Sequence, residues 1–93
     1  MNRDDGIEPK FSFNFEGASI NIYHADQGKG LPKHEHTFSH ATVCYAGSIK
    51  VTKENNEFIV DKNTRPILLK ENEWHEIDSL EDGTVFSNIF KTQ

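Results

Sequence analysis

At 93 residues and 10.6 kDa the chain suits one domain with a small core, and it leaves no room for a second. Its 15 Asp and Glu against 10 Lys and Arg give a net charge of −5, and with no basic cluster nucleic acid is not an expected partner. No apolar run reaches the ~18 residues of a membrane span or has the form of a signal peptide, and a lone cysteine forms no intrachain disulfide, so a cytoplasmic setting is expected. Residues 1–9 are polar, acidic and closed by Pro9; they read as a flexible leader to a single domain over 10–93. Phe11, Phe13 and Phe15 alternate with Ser12 and Asn14, and Ile20, Ile22 and His24 alternate with Asn21 and Tyr23. These period-2 patterns predict two half-buried strands around a turn at Glu16-Gly17. A strand over 41–46 ends at Gly47. Ile49 and Val51 then pair through a turn at Glu54-Asn55-Asn56 with Phe58-Ile59-Val60, which predicts a hairpin. Short strands follow at 66–69, 74–79 and 84–90, separated by Asn, Asp and Gly. With no 3.6-residue period anywhere, the fold class is all-β, a sandwich or small antiparallel barrel.

Three of the five histidines, His34, His36 and His40, fall within seven residues. On a strand these positions share parity and their imidazoles converge, whereas on a helix His34 and His36 would point about 200° apart. By the same parity Glu35, and Glu76 beside His75, point away. A solvated, pH-sensitive surface strand is the plainer alternative to a metal site for such a cluster.

The order Gly28, five residues, His34, one residue, His36, three residues, His40, six residues, Gly47 resembles the first motif of the cupins, with His40 where a glutamate usually stands. His75 fits the histidine of the second motif, although Lys70 replaces its usual proline, Asn72 its glycine and Ser79 its asparagine. Asn72 is the mildest departure, because Asn tolerates the left-handed backbone that a glycine would supply. The resemblance spans residues 28–79. It implies a double-stranded β-helix, the cupin-like jelly roll, carrying His34, His36, His40 and His75 to one divalent transition metal (Fe, Ni, Zn, Cu or Mn). Four neutral imidazoles would leave the ion's full charge uncompensated, favouring a small anionic or O,O-chelating ligand.

Continuing the parity of His40 places Thr42 and Cys44 as pocket-lining residues, with Cys44 more readily a buried filler. His24, on an expected inward parity with Ile20 and Ile22, is the candidate general base, while Tyr23 and Trp74 read as packing residues. Two functions follow. One is a metal-dependent enzyme of dioxygenase, isomerase or lyase type; the other is a non-catalytic small-ligand or sensor module, or a structural metal site. A small core with open sheet edges also makes a homodimer the expected state, with the segment from Lys10 to Phe15 covering an edge.

Overall fold

A computed structural model describes residues 6–35, 37–54 and 56–91. The regular structure of these residues is all strand: β1 (Phe11–Phe15), β2 (Ala18–Ala25), β3 (Gly30–His34), β4 (His40–Ala46), β5 (Ser48–Lys53), β6 (Asn56–Asp61), β7 (Ile67–Leu69), β8 (His75–Ser79) and β9 (Thr84–Lys91). They form two antiparallel sheets, ordered β1-β2-β9-β4-β7 and β3-β8-β5-β6. The expected all-β class is met as a two-layer jelly roll whose sheets do not close into a barrel.

Local chemistry sets the turns. Glu16 and Gly17 both take positive φ, 47° and 86°, which reverses the chain between β1 and β2. Glu54, at φ 49°, tightens the hairpin in which Lys53 pairs with Asn56. Gly47 separates β4 from β5 at φ 71°, and a Cβ there would lie 2.3 Å from Thr84 Oγ1, so only glycine fits both backbone and space. Gly30 has a different reason. A Cβ on it would sit 1.9 Å from the Ile77 carbonyl oxygen, and its absence lets β3 lie against β8.

The core is the apolar face shared by the two sheets. Tyr23, Ala25, Cys44, Leu69 and Phe86 come from the five-stranded sheet, and Ile49, Val51, Val60 and Ile77 from the four-stranded one. Tyr23 and Phe86 are register partners and stack with ring centroids 5.0 Å apart. Order begins earlier than the expected Lys10. Gly6 bridges Gly30, and the Ile7 amide donates to the Gly30 carbonyl at 3.1 Å while its side chain packs on the core.

The two sheets differ on their outer faces. In the four-stranded sheet Lys50, Thr52, Glu76 and Asp78 alternate with buried Ile49, Val51, Ile77 and Ser79, the usual polar-out pattern. In β1, against the half-buried expectation, Phe11, Phe13 and Phe15 are 56%, 48% and 64% exposed.

Gly30→Ala should push β3 away from β8 and cost about 1–3 kcal/mol, the range for overpacking a filled site. For a domain of this size that lowers Tm by on the order of 5–20 °C, measurable by thermal melts followed by circular dichroism.

Candidate functional site

The predicted single histidine strand is two strands. His34 ends β3 in one sheet and His40 opens β4 in the other, with a loop between them. Convergence therefore comes from a crossing between layers and not from parity within a strand. His75 opens β8 and is the register partner of His34. It follows a turn over Lys70–Glu73 in which Asn72 adopts φ 61°, the left-handed conformation anticipated for that position.

His40 and His75 are 3% and 1% exposed, and their Nε2 atoms lie 3.3 Å apart. The His34 ring stands edge-on to His75 with centroids at 4.4 Å. The partners of the Nδ1 atoms assign the tautomers. His75 Nδ1 donates to the Glu73 carbonyl at 3.1 Å, and His34 Nδ1 donates to the Pro32 carbonyl. Thr42 donates its hydroxyl proton to Asn88 Oδ1 at 2.7 Å, so at 3.4 Å it accepts from His40 Nδ1. With its proton on Nδ1, a ring held in this way has the Nε2 lone pair available as a metal donor. The His40–His75 contact at 3.3 Å is a hydrogen bond when one ring holds its proton on Nε2, and a cation between the two nitrogens can take that proton's place.

Among the described residues no group of three or more His, Cys, Asp and Glu side chains is arranged to hold a metal ion. His36, the fourth expected ligand, lies outside the described residues.

Next to His34 and His40 is a cavity of about 160 Å³. Asn21, Tyr23 and Asn88 give it neutral polar groups; Leu31, Phe38 and Phe90 give it apolar walls, the two Phe rings packing with centroids 4.8 Å apart. Among the described residues no Asp or Glu lines it. Thr42 and Cys44 face inward and are buried, but neither is among the residues that line this cavity. Thr42 holds His40, while Cys44 donates its thiol to the Ala46 carbonyl at 3.3 Å and packs in the core. Half-buried Trp74 carries the Lys33 ammonium 4.4 Å from its ring centroid.

The expected phase of β2 is corrected. Tyr23 and Ala25 face the core, whereas His24 is exposed on the other face, edge-on to Phe11 and beside Asp26 and Thr84. It cannot serve this cavity as a base. Asn21 and Asn88 carry no mark in the sequence reading, and Tyr23, expected to pack on the outside, faces the core because β2 takes the opposite phase. The available signal was Asn88 itself, a polar side chain in the middle of Val85-Phe86-Ser87-Asn88-Ile89-Phe90 and 6% exposed in the fold.

Compared by sequence, the chain matches no protein-family model and no curated protein. Solved structures are similar in fold. A conserved protein with a double-stranded β-helix domain from Klebsiella pneumoniae superposes with TM-score 0.72 at 14% identity, over 98% of this chain and 80% of that one. A cupin-2 domain containing protein from Shewanella frigidimarina gives 0.71 at 7% identity, over 91% and 83%. A cupin superfamily protein from Desulfitobacterium hafniense gives 0.70 at 11%, over 94% and 83%. The fold is the cupin type.

Burial pushes the Cys44 thiol above its ordinary 9.0; a backbone hydrogen bond with Ala46 opposes this, and the charges of Asp61 and Glu81 add to it. Burial likewise raises the Tyr23 phenol above 10.0; Glu8 adds to this, and hydrogen bonds with Asn21 and Asn88 oppose it. Both groups keep their protons longer folded than unfolded, so their stabilisation is complete below the unfolded values and is lost as pH rises through the folded ones. Urea midpoints should therefore fall as pH is taken from below 9.0 to above 10.0, and Cys44→Ala should remove the earlier part of that fall.

Proposed function

We propose that the protein is a cupin-type metal-binding protein, an enzyme of dioxygenase, isomerase or lyase type, whose pocket takes a small anionic or O,O-chelating metabolite. The observation that carries this reading is the His40–His75 pair, with both Nε2 atoms turned to one point by the contacts at Nδ1. Metal-binding histidines are commonly held this way, the second nitrogen donating to a carbonyl or hydroxyl. The 3.3 Å separation also fits the donor set. Two nitrogens at ~2.0–2.1 Å from one ion stand roughly 2.9–3.4 Å apart at octahedral to tetrahedral angles. His40 and His75 would hold the ion, with His34 and His36 completing its protein ligands.

Bound there, a divalent ion supplies a Lewis acid to a ligand oxygen. The chain does the rest. A cavity of about 160 Å³ restricts the ligand to a few heavy atoms. Asn21, Asn88 and Tyr23 offer neutral hydrogen bonds that orient an oxygen, and with no carboxylate among the described lining residues an anion meets no repulsion from them. Phe38 and Phe90 keep water from one side. A small-ligand or sensor role is the second reading, favoured by one observation: with His24 on the outer face, no carboxylate or lysine among the described residues lines the cavity to move a proton.

Elemental analysis of untagged protein should show about one transition metal per chain, with His40→Ala and His75→Ala each abolishing it. Full occupancy in His75→Ala would sink the site. Thr42→Val, which leaves the ring but removes its acceptor, should weaken metal affinity by roughly 10–100-fold. His40→Glu should keep a metal yet bind a carboxylate ligand more weakly, since the site charge falls from 2+ to 1+. Turnover of a small dicarbonyl or carboxylate compound by the loaded protein separates enzyme from binding module.

A further inference from the structure

We infer that Tyr23 is the residue by which this cavity selects a carboxylate over its neutral analogues, and that a row of polar side chains on the inner face of the five-stranded sheet makes it a donor. The inference rests on the reading of the cavity as the ligand site, and it narrows the ligand to one with a carboxylate at the end away from His40. Cross-strand register sets Ser12, Asn21, Asn88 and Thr42 side by side on β1, β2, β9 and β4. Along the strands this row lies between Tyr23, which follows Asn21 on β2, and His40, which precedes Thr42 on β4.

The outer members of the row fix the inner ones. Ser12 donates its hydroxyl to Asn21 Oδ1 from one side, and Thr42 donates to Asn88 Oδ1 at 2.7 Å from the other. An amide carries its oxygen and nitrogen on opposite corners, so oxygens drawn outward to β1 and β4 leave both Nδ2 groups facing the gap between β2 and β9. Donors that face each other require an acceptor. The Tyr23 phenol oxygen supplies it, being hydrogen-bonded with both Asn21 and Asn88. With its lone pairs so used, the phenol has its own proton left to offer, and burial against Phe86 keeps that proton in place at neutral pH. Glu8, whose charge also reaches the phenol, is exposed and is not a lining residue. At this end the cavity therefore presents one O–H and the remaining amide N–H groups. A carboxylate matches them, because it accepts at both oxygens and brings no hydrogen of its own. A carboxamide of the same shape sets an N–H against these donors and leaves some of them unpaired, which is the costly mismatch in a buried polar site.

Oxalate, malonate and succinate, each compared with its own monoamide by calorimetric titration, test the selectivity, with metal content measured on the same samples. Wild type should prefer the best-fitting acid over its monoamide by roughly 10–100-fold, the range for a hydrogen bond to a charged group. Tyr23→Phe keeps the ring that stacks on Phe86 and should remove most of this preference while metal content stays unchanged. Ser12 is exposed on the edge strand and acts by positioning Asn21. Ser12→Ala should lower the preference by about 3–10-fold without moving Tm, and Ser12→Thr, which restores a hydroxyl, should recover it. Titrations with and without added metal separate this inference from the reading it rests on. Wild type that holds no metal yet prefers the acid would support the donor set and sink only the metal. Equal affinity for acid and monoamide in wild type, no binding of any of the three acids, or a preference that survives Tyr23→Phe would each overturn the inference.

Discussion

His40 and His75 begin strands in different sheets, yet their Nε2 atoms lie 3.3 Å apart in the interior. Two imidazoles meet this closely only if both layers are held in register, and the stack of Tyr23 on Phe86 together with the Ile49, Val51 and Ile77 face provides that registration. The site is thus a property of the packed sandwich. Gly30 belongs to the same constraint, because the close approach it allows between β3 and β8 is what sets His34 beside His75.

One sheet changes character along its inner face. Phe86, Cys44 and Tyr23 make apolar core, while Asn88, Thr42 and Asn21, next in alternation on the same three strands, are polar. Burial of Thr42 and Asn88 is tolerable because they satisfy each other at 2.7 Å, and the spare acceptor of that pair orients His40. Stability and site therefore share residues. The polar cluster costs core volume in a domain that has little, and it returns a directed lone pair.

The outer faces carry a second asymmetry. A domain of 93 residues has more sheet surface than its own layers can cover, and here the excess apolar surface is collected on one side. The polar outer positions of β5 and β8 show that strand alternation can be obeyed in this chain, so the apolar rows of β1, β2, β9, β4 and β7 reflect a distinct demand on those positions.

Much of the architecture is legible in the residues alone. Period-2 alternation and turn residues such as Gly17, Gly47 and Glu54-Asn55-Asn56 mark the strands and the β5–β6 hairpin, because local backbone preference and one-sided burial act over a few residues. The spacing of His34, His40 and His75 likewise marks where metal chemistry is worth seeking, and the left-handed Asn72 was readable from its side chain. What sequence could not decide was phase and partnership. Ile20 and Ile22 are as apolar as the residues that face the core, so only the packed sheets turned Tyr23 inward and His24 outward. His34 and His40 looked like neighbours on one strand, and only the crossing between layers put them in opposite sheets. The amide of Asn88 entered the site through cross-strand pairing with Thr42, 46 residues away, a contact that no local pattern encodes because it exists only once the strands have paired.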